Sequence, residues 1–269
     1  MRSTTARIGD IDFVYREAGS GEPVLYLHGF PTSGYLWRDV MQPVSSEFHA
    51  IAPDMPGFGD SPLMDRPHTW ENLIDWVDMF VDAMEIAPVH LGVHDWGGLI
   101  GLAWACLHPQ KVRSLLITNT SFRAKDEWHG LAQQWREPET GEELIGGMTE
   151  EGFRGLLSAT GSMGDDSMTQ YWKGLSTLDR RMAKLEMYRS LEFKMFEPLE
   201  PKLPEVAAKG ARVVWGGADP LLHFKFALRF GERLGAEVTV LEDVGHFLQE
   251  ERGEQLGEMH AGFLNSLDS

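Results

Sequence analysis

The 269-residue chain is short of three things: cysteine, positive charge, and any long uninterrupted apolar run. Its one cysteine, Cys106, cannot form an internal disulfide. Lying in an apolar, helix-like stretch, it reads as a buried and inert thiol. Lys and Arg number 24 against 41 Asp and Glu, a formal net charge of -17. A surface this acidic repels phosphate backbones and anionic lipid, which argues against nucleic-acid and membrane partners and favours a small neutral organic substrate. The segment Met1 to Asp10 is polar and has no apolar core of the secretory kind. The most apolar stretch, Leu91 to Leu107, contains His94 and Asp95 and is broken by Gly97 and Gly98, so it does not read as a membrane span. A soluble cytoplasmic protein, monomer or homodimer, is expected. No repeat or low-complexity segment is visible, and no histidine cluster has metal-ligand spacing: His90 and His94 flank a strand end rather than sharing a helix face. No cofactor or metal is implied.

What the chain does have is alternation. Strand patterns at Ile11–Glu17, Val24–Leu27, Ala50–Ala52, Val89–Val93, Leu115–Ile117, Arg212–Trp215 and Val238–Leu241 are separated by helical ones. Trp70 to Ile86 is the clearest helix, with Leu73, Ile74, Val77, Phe80, Val81 and Met84 at helical spacing. Strand and helix in this order predict an α/β fold: a mostly parallel sheet with helices on both faces. Between Phe122 and Leu203 the alternation stops, and Trp, Met, Arg and Glu recur with helical period. Residues 1–121 and 204–269 therefore read as a core domain, and 122–203 as an inserted helical cap. Ligands bind at the carboxyl ends of parallel strands, and the insertion leaves the sheet at such an end. Nine tryptophans and fourteen phenylalanines exceed what a core of this size needs, so some are expected in a pocket.

Three strand ends carry chemistry. Val93-His94-Asp95-Trp96-Gly97-Gly98 joins a strand directly to a helix, the form of a nucleophile elbow, with Asp95 at the tip where hydrolases usually keep serine. A carboxylate of pKa about 3.9 is already ionised at neutral pH. It suits in-line attack on an sp³ carbon bearing a leaving group, giving an ester on the enzyme. The competing reading of Asp95 is a plain helix N-cap. His28-Gly29-Phe30-Pro31 sits where such folds place the second oxyanion donor, so the Phe30 and Trp96 N–H groups are the candidate pair. Gly245-His246-Phe247 near the C-terminus supplies a base for water, and Asp219 in Gly216-Gly217-Ala218-Asp219-Pro220 an acid to orient it.

Together with Pro53-Asp54, Gly57-Phe58-Gly59-Asp60-Ser61 and Asn119-Thr120-Ser121-Phe122, these motifs resemble the epoxide hydrolase and haloalkane dehalogenase branch of the α/β-hydrolase superfamily. The resemblance implies a nucleophilic aspartate, a water-activating histidine and a helical cap. It leaves the leaving group open. An epoxide oxygen must be protonated, and epoxide hydrolases resemble one another in using two cap tyrosines. Tyr188 fits one, while Tyr171, the only other cap tyrosine, lies close to it in sequence. A halide needs only N–H donors. Trp96 offers one; Phe30, where many dehalogenases carry asparagine, offers none from its side chain. Trp128, Trp135 and Trp172 are the cap candidates, each more readily read as core packing. Substrate contacts are expected from His28, Trp96, Trp128, Tyr171, Trp172 and Phe247. Epoxide hydrolysis, with Tyr188 as proton donor, is the preferred expectation. Haloalkane or haloacid dehalogenation is the alternative, followed by ester or lactone hydrolysis and by a ligand-binding protein of the same fold.

Overall fold

A computed structural model describes residues 1–267. Eight strands form one sheet: β1 (Arg2–Ile8), β2 (Ile11–Ala18), β3 (Pro23–Leu27), β4 (His49–Pro53), β5 (Val89–His94), β6 (Val112–Thr118), β7 (Ala211–Gly216) and β8 (Glu237–Leu241). Their order is β1-β2-β4-β3-β5-β6-β7-β8. Only β1 and β2 run antiparallel to their neighbours. From β4 to β8 the pairing is parallel, as the strand-helix alternation predicts. The sequence reading passed over β1, whose residues Arg2 to Thr5 are polar and mostly exposed. It pairs along its whole length with β2 at the edge of the sheet, where one polar face costs little.

Every residue of β5 is buried. A strand buried on both sides requires helices on both faces of the sheet. The core helices are α1 (Arg38–Val44), α2 (Trp70–Ala83) and α3 (Trp96–Leu107), joined late in the chain by short helices and by α11 (Gly253–Leu267). In one packed group α1 lies against α11; in another α2 lies against α3. Helix α2 starts at Thr69, whose side chain accepts from the Asn72 N–H, and turns Leu73, Ile74, Val77, Phe80 and Val81 inward. Helix α3 buries everything from Trp96 to Cys106, consistent with the inert thiol expected there. No helix among the described residues is long and apolar enough to cross a membrane.

Between β6 and β7 the chain is entirely helical: α4 (Gly130–Arg136), α5 (Glu150–Ser158), α6 (Asp165–Trp172), α7 (Leu178–Ser190) and α8 (Leu203–Ala207), with short turns between them. Helix α8 already packs on α3 and β6 as part of the core. The other inserted helices are tied down by charge. Helix α9 (Lys225–Leu234) lies between β7 and β8, and α10 (Leu248–Glu251) follows β8. Glu250 on α10 accepts two bonds from the Arg38 guanidinium at 2.7 and 2.9 Å, one from the Ser167 hydroxyl at 2.8 Å, and one from the Tyr171 hydroxyl. On α7, Arg180 donates to the carbonyls of Gly57, Gly59 and Ser61, and the buried Lys184 ammonium to that of Gly57 at 2.8 Å.

The Glu250 side chain is 2% exposed and gathers four donors from two other helices. Removing it leaves Arg38 half-stranded, the costly way to break a buried pair. Glu250→Ala is expected to lower stability by about 3 kcal/mol. Scanning calorimetry should then show Tm reduced by roughly 5–10 °C; a loss under one degree would remove this cluster from the anchoring of the insertion.

Candidate active site

The site begins with backbone strain. Between β5 and α3 the chain reverses at Asp95, which has φ 50° and ψ -124°, a region that a side chain rarely occupies. Only glycine fits the positions that follow. A Cβ on Gly97 would stand 2.2 Å from the Leu27 carbonyl oxygen, and one on Gly98 2.0 Å from Thr120 Oγ1. The turn is held by the Thr120 hydroxyl, which donates to the Asp95 carbonyl at 2.7 Å, and by the Asp95 N–H, which donates to the Asn119 carbonyl at 3.0 Å. The result presents the Asp95 carboxylate at the carboxyl end of the sheet with 17% of its surface open.

The Phe30 N–H donates to Asp95 Oδ1 at 2.7 Å, and the Trp96 N–H also points at the carboxylate. Both expected oxyanion donors thus meet the carboxylate before any reaction, Phe30 at Oδ1. His246 Nε2 stands 3.7 Å from Oδ2, too far for a hydrogen bond and close enough for an intervening group. Burial raises the Asp95 pKa above its ordinary value, and His246 with the two N–H donors only partly offsets this.

Behind the imidazole, His246 Nδ1 lies 2.7 Å from Asp219 Oδ2. Asp219 is fully supplied with donors: Asn119 Nδ2 at 2.6 Å and the N–H groups of Leu221 and Leu222 at 2.7 and 3.0 Å. Burial alone would raise its pKa, but His246 and these bonds bring it below the usual value. Conversely, burial would depress His246, and the two carboxylates, Asp219 foremost, raise it above 6.5. The base loop is pinned from both sides. His94 Nε2 donates to the His246 carbonyl at 2.9 Å, and the His246 N–H to the Thr160 carbonyl of the insertion at 3.2 Å. Burial keeps His94 neutral, so no second cation forms beside His246.

Asp95 lies where two lobes of a chamber meet. One includes Trp96, Leu99, Trp128 and Phe193. The other includes Phe30, Trp135, Leu157, His246 and Phe247. Tyr188, His129 and Leu221 border both. Tyr188 is packed between Phe30, Trp96, Trp128 and Trp135 at ring-centroid distances of 5.5, 5.0, 5.4 and 5.2 Å. Trp96 and Trp128 stack at 5.5 Å, and neither buried indole N–H has a hydrogen-bond partner of good geometry. The Tyr188 hydroxyl only leans on that of Trp96.

The structure therefore brings together Asp95, Phe30, Trp96, His246, Asp219, Tyr188, Trp128 and Phe247. Three expected contact residues are corrected. His28 is buried beneath the loop, its Nδ1 donating to the Gly29 carbonyl at 2.9 Å and its Nε2 accepting from Met55 N–H at 3.0 Å. Tyr171 is turned to Glu250, and Trp172 packs on Phe153 at 5.5 Å; none of the three lines the chamber. Two residues had been given no role. Asn119 bridges Asp219 and β7, its Oδ1 accepting the Gly216 N–H at 2.9 Å, and its place at the end of a strand was the available signal. His129 lies beside Trp128 at the head of α4, where the following glycine marks a helix start.

Residues 22–139 match the sequence profile of the α/β hydrolase fold family. Over 91% of this chain and 88% of that protein, the chain is 30% identical to a cis-3-alkyl-4-alkyloxetan-2-one decarboxylase of Xanthomonas campestris. It is 29% identical to a haloalkane dehalogenase of Mesorhizobium japonicum, over 95% of this chain and 88% of that one. The crystal structure of the haloalkane dehalogenase DbeA from Bradyrhizobium elkani superimposes with a TM-score of 0.87 at 26% identity, covering 99% of this chain and 98% of that one.

The opposing effects on His246 give a signed expectation. With Asp219 present, the imidazole titrates above 6.5. In Asp219→Asn the strongest raising charge is gone and burial dominates, so the inflection moves below 6.5. Histidine-selective NMR titration of both proteins reads the shift; an unmoved inflection would mean that Asp219 does not act on the ring.

Proposed function

Since this chain belongs to the α/β-hydrolase fold family, as an enzyme of its haloalkane dehalogenase branch, we propose that it displaces halide from an sp³ carbon of a small neutral substrate. The observation that carries this reading is the pair of unpartnered indole N–H groups, Trp96 and Trp128, buried and stacked beside the Asp95 carboxylate. A buried donor left without an acceptor costs about 1–3 kcal/mol unless a ligand satisfies it. Trp37 and Trp76 also have unpartnered indole nitrogens, but they lie in the core, away from the chamber. Two indole N–H groups on rings that border one lobe suit a weakly basic anion that departs without a proton.

The chemistry then follows from the two carboxylate oxygens. Oδ2 attacks the carbon in line, the carbon–halogen bond breaks, and halide departs into the indole pair, leaving an alkyl ester on Asp95. The Phe30 N–H already holds Oδ1, which becomes the ester carbonyl oxygen. With the Trp96 N–H it stabilises the charge that builds there when water attacks. His246 takes the proton from that water, and Asp219 steadies the imidazolium. Collapse of the adduct releases the alcohol and restores the carboxylate; the proton passes to solvent. Esterification also removes the Asp95 charge, one of the two that raise His246. The imidazole therefore loses its proton more readily in the intermediate, which is when a neutral base is required.

Epoxide opening, preferred from sequence, gives way to its alternative. The leaving alkoxide must be protonated. One tyrosine, Tyr188, borders the chamber, and burial pushes its pKa well up, making it a poorer acid. Tyr171 is engaged by Glu250 instead, and the relatives named above act by their names on haloalkanes and oxetanones. The oxetanone relative supports a second reading. Attack on the ring carbon of a four-membered lactone expels a carboxylate, another anion that needs N–H donors rather than a proton.

The test is a trapped intermediate. His246→Phe permits attack and blocks hydrolysis, so the intact mass should rise by the alkyl group after exposure to 1-bromohexane, with the adduct on the Asp95 peptide. Trp128→Phe should lower kcat/KM for halide release by roughly 100-fold or more, the scale of losing one preorganised donor, and more for chloride than for bromide. Absence of both adduct and halide would overturn the reading; carbon dioxide release from a dialkyl oxetanone would move it to the second.

A further inference from the structure

Most polar side chains bordering the chamber already have partners inside the protein. The Thr120 hydroxyl donates to the Asp95 carbonyl, that of Ser121 to Asp126, and that of Thr160 to the Leu157 carbonyl at 2.9 Å. Aside from the indoles, the Tyr188 hydroxyl and the catalytic His246, one ring N–H donor remains, that of His129. His129 caps α4, its Nδ1 accepting the Ala132 N–H at 3.3 Å. Burial, with the nearby His246 adding to it, pushes its pKa down to about 4, so the ring is neutral across the working range. A neutral imidazole that accepts at Nδ1 carries its proton at Nε2. Among the described residues that Nε2–H has no hydrogen-bond partner, and it is not sealed away from the surface. The ring borders both lobes, edge-on to Trp135 at 6.2 Å, where the chamber passes from the indole pair to the apolar wall of Leu131, Leu156, Leu157 and Phe247.

We infer that the His129 Nε2–H is a substrate-binding donor that selects substrates carrying an acceptor oxygen, an ether or carbonyl, within a few bonds of the carbon attacked by Asp95. The inference rests on the displacement reading for the identity of that carbon. An all-carbon chain seated in the same lobes leaves the donor unpaired in an apolar enclosure. An oxygen at the right position pairs it. A site with such a group discriminates against the analogue that lacks the partner, here by about tenfold, the scale of one neutral hydrogen bond.

The experiment compares two isosteric bromides, 2-bromoethyl ethyl ether and 1-bromopentane, in wild type and in His129→Asn. Asparagine keeps an acceptor for the helix cap but cannot present an N–H at the imidazole Nε2 position. The variant should lower kcat/KM for the ether about tenfold more than for the bromoalkane. Equal losses on both would make His129 a structural cap and overturn the inference, as would equal retention. A second arm needs no turnover: ¹⁵N spectra of the histidine rings should show His129 protonated at Nε2 at pH 7. The unreactive ether 1-ethoxypropane should shift that signal, and hexane should not. A proton on Nδ1, or equal shifts, would overturn the inference. If wild type releases bromide from neither compound, the halide reading fails, and the spectra alone decide the role of His129.

Discussion

Everything at this site depends on one carboxylate being held charged at a place where the backbone resists holding any side chain. Asp95 combines positive φ, two backbone N–H donors on its carboxylate, and a carboxylate-paired imidazole 3.7 Å from Oδ2. Each element fixes a different degree of freedom. The elbow sets where the side chain points, the Phe30 donor fixes Oδ1, and the imidazole faces Oδ2. Strain of this kind costs on the order of 1–3 kcal/mol and persists because the surroundings over-determine it. The all-buried strand β5 and helix α3, with Gly97 and Gly98 packed against strand and loop atoms, are those surroundings.

The electrostatics follow the same logic. The carboxylates Asp95 and Asp219 bracket one imidazole, and their environments push them in opposite directions. Asp219, supplied with four donors, stays ionised and pulls His246 upward. Asp95, supplied with fewer, keeps more of its reactivity. The neighbouring rings of His94 and His129 are both driven to neutrality by burial. His246 is thus the ring of the cluster positioned to carry charge during turnover.

Much of this was legible in the sequence because it is local. The elbow announces itself in six consecutive residues, and the strand-helix alternation placed the sheet and the ends where Phe30, Asp219 and His246 stand. What was not legible is what helical periodicity leaves out: the direction in which an inserted helix turns. Tyr188 and Tyr171 look alike in sequence, yet one borders the chamber and the other is drawn away by Glu250, 79 residues on. Trp172 and Trp128 divide in the same way. His28 belongs to the most recognisable loop of the chain, but both of its nitrogens are engaged by backbone groups behind the site. The edge strand β1 escaped notice because it buries few of its residues.

The anchoring of the insertion bears on how anything reaches Asp95. Helix α6 is fastened to α10 and α1 through Glu250, and α7 to the Gly57–Ser61 loop through Arg180 and Lys184. Lifting this roof as a rigid lid would strand a carboxylate and several cations together. Traffic of reactant and product is left to side chains swinging aside between the anchored helices. The girth of a molecule, more than its length, then governs admission, before any chemistry can discriminate.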